Sequence, residues 1–334
     1  MRRFPTLDEV AREAGVSRST VSRVINDSAK VAPAVRVSVK AAVARLGYVP
    51  NESARNLVRR RTESFAVVVG ENDTTLFENP FFGLLVAGIG ERLEAAGQTL
   101  VLLIGGTASD ERRTETYLRG GHVDGAIFAS LQHGEKLPGR LHRDGFPIVL
   151  AGRPLEAHEL PYADVDNVGG GRLATEHLLA KGRLRIASVT GRRGMVASED
   201  RFRGYCEALA NAGLPAVPDR VVDGNFSRTV AQEVVRAMLE RDPSIDAVFA
   251  ASDPMALGAL AALRESGRRV PEDVSLIGFD GTMLASVTQP PMTVIAQPAQ
   301  ALGRALAELV VASRDGKPVD SVVLPVSIQM GGTT

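Results

Sequence analysis

Residues 6–27 read TLDEVAREAGVSRSTVSRVIND. The spacing predicts two short helices separated by a three-residue turn. Thr6 and Glu9 have the separation of a capping box, in which the Thr side chain accepts a backbone N–H and the Glu reaches back to the start of the helix. Leu7, Val10, Ala11 and Ala14 then fall on one helical face. Gly15 suits the left-handed conformation that ends a helix, and Ser17 suits the cap of the next. In the second helix Val21, Val24 and Ile25 point inward, so Arg18, Ser19, Ser22, Arg23 and Asn26 are expected to face outward. Two arginines among short polar side chains suit a DNA major groove, where Arg pairs with guanine and serines reach phosphates or base edges. The pattern is that of a helix-turn-helix whose second helix is the reader, with a generic pair of hairpin helices as the plainer alternative. A third helix is predicted from Pro33, with Val35, Val39, Val43 and Leu46 closing a small core.

Charge agrees with that reading. Residues 1–61 contain 13 Lys and Arg against 5 Asp and Glu, which leaves 26 basic and 34 acidic residues of the 39 of each in the whole chain. The head therefore carries a net +8 and the remainder a net −8, so a polyanion is drawn to the head alone. At 334 residues and 44% hydrophobic content the chain has room for more than one domain. The lone cysteine, Cys206, excludes an internal disulfide. With no signal-peptide pattern and no apolar run of membrane-spanning length, the expected location is the cytoplasm.

The stretch PNESARNLVRRRT (residues 50–62) follows. Asn51 is a candidate cap, and Ala54, Leu57 and Val58 have helical spacing, but the segment is too short for a stable isolated helix. Arg59, Arg60 and Arg61 offer phosphate contacts, and a disordered basic linker is the alternative reading.

From Phe65 onward, apolar runs alternate with amphipathic helical stretches. The runs are FAVVVG, TLVLLIGG, DGAIFAS, PIVLAG, RIASVTG, DAVFAAS and VSLIGFD. Strands buried on both faces and separated by helices indicate parallel sheets. There are too many for one modest sheet, and YADVDN near Asp164 reads as a crossover to a second. The expected body is two α/β lobes with a cleft between them. Ligands sit at the carboxyl ends of strands in such folds. Arg153, Ser252, Asp253, Asp280 and Gln297 each follow a strand, Arg201 opens a helix after the VTG strand, and Phe82 and Phe226 offer flat apolar faces. This mixture suits a compact polar ligand such as a sugar or nucleoside, although strand-end loops are polar in any α/β protein.

The chain resembles the lactose-repressor/galactose-repressor family of bacterial transcription regulators. The resemblance rests on TLDEVAREAGVSRSTVSRVIND, on VKAAVARLGYVPNESARNLVRRRT, and on NPFFGLLVAGIGERLEAAG, DNVGGGRLATEHLLAKG, ASEDRFRGY, ASDPMALGALAAL and LIGFD in the body. It implies a small all-α helix-turn-helix headpiece (1–49), a hinge (50–62) and a body (63–334) like the periplasmic sugar-binding proteins. The first lobe is expected at about 63–162 plus 292–320, and the second at about 163–291 plus 321–334. The resemblance further implies that Thr6 and Leu7 touch the DNA backbone and that Ser17, Thr20, Ser22 and Asn26 hold phosphates or read bases, while Arg18, Ser19 and Arg23 set the operator sequence. Paired hinge helices of a homodimer would enter the minor groove of a palindromic operator, with Leu57 wedged between central base pairs. Effector contacts map to Phe81 or Phe82, Arg201, Phe226, Ser252, Asp280 and Gln297. The same resemblance implies a bacterial cytoplasm, on the nucleoid when DNA is bound. Four positions depart from the family pattern. Ala32 replaces the usual capping Ser, Val35 stands where Thr is frequent, Gly152 stands where an acidic contact can occur, and Ser252 stands where Asn is common.

Catalysis is disfavoured. No GxGxxG opens a helix after a strand, no Walker sequence is present, and the five histidines show no metal-ligand spacing. Asp253 and Asp280 could form an acid–base pair, but nothing nearby in sequence supplies a nucleophile. No cofactor or metal is called for. A solute-binding protein for transport is the competing function, since the body alone would suit it, but such a protein has no use for a DNA-reading head.

Overall fold

The computed structural model describes residues 5–25, 27–28, 30–48, 61–70, 78–130, 136–154 and 160–334. The chain divides into two compact units, residues 1–62 and 63–334.

The first unit contains α1 (Leu7–Ala14), α2 (Arg18–Ile25) and α3 (Pro33–Leu46). The capping box forms: the Thr6 amide donates to Glu9 Oε2 (2.7 Å), and the Glu9 amide donates to Thr6 Oγ1 (3.3 Å). Gly15, at φ 65°, ends α1, and the Thr20 amide donates to Ser17 Oγ (3.2 Å) at the start of α2. Val10, Val21, Val39 and Ala42 are fully buried, with Val24 and Tyr48 completing a core that joins all three helices. Ala32 gives α3 no side-chain cap. Arg36 ties down the preceding turn instead, donating to the Asp27 carboxylate and to the Ser28 carbonyl (2.8 Å). The first amides of α3 still lack a side-chain acceptor, so Ala32→Ser should stabilise the headpiece by about 1 kcal/mol. Hydrogen exchange of the α3 amides in the full chain checks this, and unchanged protection would contradict it.

The second unit contains two six-stranded sheets. The first is ordered β11-β5-β4-β3-β1-β2, with β1 (Ser64–Val69), β2 (Thr99–Ile104), β3 (Ala126–Ala129), β4 (Ile148–Ala151), β5 (Tyr162–Val165) and β11 (Val322–Leu324). The second is ordered β12-β10-β9-β8-β6-β7, with β6 (Ile186–Thr190), β7 (Val221–Asp223), β8 (Ala247–Ala250), β9 (Ser275–Asp280), β10 (Thr293–Ala296) and β12 (Ser327–Gln329). Every pairing is parallel except that of β12 with β10. The seven apolar runs form β1, β2, β3, β4, β6, β8 and β9. Helices α4 (Pro80–Glu94), α5 (Ala108–Arg119) and α6 (Leu137–Arg143) alternate with the strands of the first sheet. In the second, α7 (Asn167–Ala180), α8 (Val196–Asn211), α9 (Arg228–Arg241), α10 (Asp253–Glu265) and the short α11 (Met283–Ser286) do the same. The last helix, α12 (Ala299–Arg314), buries Leu302, Leu306, Ala307 and Val310 in the core of the first sheet, beside Phe65, Val67 and Ile127.

The chain passes between the lobes three times, each time later than the sequence boundaries of 162/163, 291/292 and 320/321. Tyr162–Val165 is not the crossover; it pairs with β4 and β11 and buries Ala163 and Val165, so the passage begins at Asp166. Thr293–Ala296 remains in the second sheet because its three buried positions pack against β9. Val322–Leu324 returns to the first sheet before the final passage to β12. The first and third passages are tied together, since the Asp166 amide donates to the Leu324 carbonyl (2.9 Å).

One helix crossing positions a functional side chain. A Cβ on Gly204 of α8 would lie 2.0 Å from the Val168 carbonyl, and one on Gly171 of α7 would lie 2.0 Å from the carbonyl of Arg201 itself. Backbone-to-backbone contact between α7 and α8 thus brings Arg201 against the first passage.

Candidate functional sites

In the headpiece, Arg18, Ser19 and Arg23 are exposed on one side of α2, as is Ser17 at its cap. Ser22 and Thr20 are half-buried, which corrects the outward placement expected for Ser22. Arg18 lies 3.6 Å from Asp8, a contact so exposed that it leaves the guanidinium available. Thr6 is exposed and Leu7 is half-buried in the headpiece core. Asn26, Asn51, Ala54, Leu57 and Arg60 lie outside the described residues.

In the body, the site builds outward from Arg201. Its side chain is 6% exposed, so the charge is met by protein groups instead of water. Nε donates to Asn167 Oδ1 (2.8 Å), Nη1 donates to the Ala251 carbonyl (2.7 Å), and Nη1 lies 3.5 Å from Asp280 Oδ1. The guanidinium carbon sits 3.6 Å from the centroid of the Phe279 ring, a cation–π arrangement. Asp280, at φ 111°, ends β9, and its Oδ1 also accepts from Gln297 Nε2 (2.7 Å) just beyond β10. Arg201, Asp280 and Gln297 therefore form one connected group at the carboxyl ends of the second sheet.

Asp253 and Ser252 serve the loops around that group. Ser252 Oγ accepts from the Met255 amide (3.3 Å) and caps α10. Asp253 Oδ2 accepts from the Thr282 amide (2.6 Å) and hydroxyl (2.8 Å), fixing the turn after Asp280. Its Oδ1 is buried without a hydrogen-bond partner among the described residues. Sequence reasoning missed Thr282, whose place depends on the fold of that turn.

Arg153 is brought to a different partner. It follows β4 of the first lobe, and its Nε and Nη2 donate as a fork to Asp200 Oδ2 (2.7 Å) and Oδ1 (2.6 Å) on α8 of the second lobe. Its amide donates to Asp164 Oδ2 (3.0 Å), while Asp164 Oδ1 accepts from Asn167 Nδ2 (2.9 Å). A hydrogen-bonded chain thus runs from Arg153 through Asp164 and Asn167 to Arg201. The Asp200 hydrogen bonds hold the Arg153 proton more tightly than usual, and burial raises the pKa of Asp164. Asp200 and Asn167 were also missed; each lies inside a quoted family segment but carries no signal of its own.

Phe226 is half-buried, and its ring lies against the buried Gly191 just after β6. Phe81 and Phe82 form a pair of their own at the start of α4, ring centroids 5.5 Å apart in an edge-to-face arrangement, packed on the core of the first sheet. Among the described residues, no cluster of three or more His, Cys, Asp and Glu could hold a metal, and no helix is long and apolar enough to cross a membrane.

A model of bacterial regulatory proteins of the lacI family matches residues 6–51, and a model of periplasmic binding proteins and the sugar-binding domain of the LacI family matches residues 62–328. The chain belongs to the LacI family. It is 46% identical over 325 residues to the HTH-type transcriptional regulator CelR of Thermobifida fusca, covering 97% of this chain and 96% of that protein. A solved CelR–cellobiose complex superposes with a TM-score of 0.80 at 43% identity, covering 99% of this chain and 100% of that one. A lac repressor dimer bound to operator and the anti-inducer ONPF superposes with a TM-score of 0.89 at 28% identity, covering 99% of each chain. This LacI-family chain is accordingly a sequence-specific DNA-binding transcriptional regulator and not an enzyme, with a small-molecule-binding body of two parallel-sheet lobes.

Burial raises the pKa of Asp253 to about 7, reinforced by the nearby Asp280 charge. Burial raises Asp280 to about 6, with Arg201 opposing the rise. Both carboxyls bind protons more tightly folded than unfolded, where the ordinary value is 3.8. Their stabilising contribution is thus complete below about pH 4 and lost as pH rises through about 6 to 7. The unfolding midpoint of the body should fall between pH 5 and pH 8, and Asp253→Asn should flatten that fall. Denaturant titrations across the range check both, and an identical slope in the variant would contradict the assignment.

Proposed function

We propose that the chain is a repressor that binds a palindromic operator as a homodimer, and that its effector is a glucose-type disaccharide such as cellobiose, held between the lobes. The observation that carries the effector reading is the joined group Arg201, Asp280 and Gln297. It offers charged donors and acceptors for sugar hydroxyls at the strand ends, with Phe226 available to a pyranose face. Gly152 and Ser252 support a larger ligand than one ring. A Cβ on Gly152 would meet nothing within 4 Å, and Ser252 is shorter than the Asn common at that position. The similarity to CelR, solved with cellobiose, points the same way.

The division of labour in this proposal is a headpiece (1–49), a hinge (50–62) and a body (63–334). Arg18, Ser19 and Arg23 read bases. Thr6, Leu7, Ser17, Thr20, Ser22 and Asn26 position the headpiece, with Asn51, Ala54, Leu57 and Arg60 acting in the hinge on bound DNA. Phe81, Phe82 and Arg153 complete the effector cleft from the first lobe. Arg153 contributes by bracing Asp200, and Asp253 and Ser252 hold the loops that carry Asp280. A sugar that binds one arrangement of the lobes better than the other shifts the population between them, and operator affinity follows.

Selection of binding sites from random duplex DNA at near-physiological salt, with and without cellobiose, tests this reading. The expected result is a palindrome with a flexible central step and an operator affinity that cellobiose changes; no motif, or an affinity indifferent to cellobiose that calorimetry shows to be unbound, would overturn it. Arg23→Ala should weaken binding to the selected site by about 1–3 kcal/mol and relax preference at one base position in each half-site. Uniform weakening at every sequence would instead mark Arg23 as a phosphate contact.

A further inference from the structure

The loop that carries Phe226 is held in a demanding conformation. Asn225 and Phe226 both have positive φ, 52° and 55°, a region that bulky side chains seldom occupy. Two contacts clip this loop to the end of β6, the Gly224 amide donating to the Thr190 carbonyl (2.8 Å) and Arg192 Nε donating to Asn225 Oδ1 (2.9 Å), and within the loop the Ser227 amide closes the turn on the Gly224 carbonyl (2.8 Å). The loop thus directs the Phe226 ring back across the strand end, onto Gly191.

At that point only hydrogen fits. A Cβ on Gly191 would lie 2.1 Å from Phe226 Cζ, 2.2 Å from Cε2 and 2.6 Å from Cε1. Gly191 has little room to move away, because its carbonyl accepts from the buried Ser198 hydroxyl (2.8 Å) at the start of α8, three residues before Arg201. We infer that Gly191 is a positioning residue for effector recognition: its missing side chain lets the Phe226 ring lie against the end of β6, which fixes the aromatic wall of the cleft relative to Arg201. This rests on the reading above that Phe226 lines the effector cleft. The role is one of specificity, since the depth of that wall decides which sugar face fits between it and the Arg201 group.

Two measurements test the inference. The first is the crystal structure of ligand-free Gly191→Ala, in which the Phe226 ring should be displaced from the strand end. A ring left in place would overturn the inference whatever the ligand. The second is calorimetry with cellobiose on the full-length wild type, Gly191→Ala, Phe226→Leu and the double variant. Each single change should lower affinity on the order of tenfold, and the double should be no weaker than Phe226→Leu, because a lost ring cannot be misplaced twice. If the double loses the product of the two single effects, or if Gly191→Ala binds as wild type while Phe226→Leu does not, the inference fails and the proposed function stands. If Phe226→Leu binds as wild type, the placement of Phe226 in the effector cleft fails, and the inference with it. Should Gly191→Ala not fold, the double variant, which lacks the ring, is expected to fold; an unfolded double would overturn the clash.

Discussion

A guanidinium removed from water must be surrounded by groups that replace its hydration, and those groups must be held still. Arg201 meets this requirement with an amide oxygen, a backbone carbonyl, a carboxylate and an aromatic face. Two of the surrounding residues sit on the passages between the lobes: Asn167 directly after the first, and Gln297, through Asp280, at the second. Whatever engages Arg201 or Asp280 therefore acts on the segments about which the lobes would move. The Gly171–Gly204 crossing, the Asp253–Thr282 clamp and the Arg153–Asp200 fork all keep this cation and its partners in place.

The start of the body is fixed by comparable means. Arg314, the last residue of α12, reaches Glu63 Oε2 at 3.1 Å and lies 5.2 Å from the Phe65 ring centroid, where the first strand begins. The Glu63 amide donates to Asp124 Oδ2 (2.9 Å). Glu63, the first residue of the second unit, is thus tied to both α12 and Asp124 of the first lobe.

Local rules make much of this legible in the sequence. The headpiece was readable because capping, turn and hydrophobic spacing agree at Thr6, Glu9, Gly15 and Ser17, and the parallel strands were readable because they are buried on both faces. Boundaries between lobes were less so: Tyr162–Val165 and Thr293–Ala296 show only that they are extended, and their sheet is decided by pairing with segments far away in sequence. The same limit applies to side-chain partners. Asp280 and Gln297 are legible at strand ends, and Arg201 is legible from its helix after the VTG strand, although it lies within α8 and does not open it; the capture of Arg153 by Asp200 depends on how two lobes meet. Ser22 is half-buried on the flank of α2, a degree of burial that helical spacing alone does not set. Gly191 offered no sign at all, since its importance lies in the ring of Phe226 that rests upon it.

Hydrogen–deuterium exchange of the full chain, with and without saturating cellobiose, tests the central claim that the ligand group and the inter-lobe passages are one mechanical unit. The account predicts that protection changes together at residues 167–171, around Arg201 and at residues 297–299. Binding of cellobiose with exchange at both passages unchanged would contradict it.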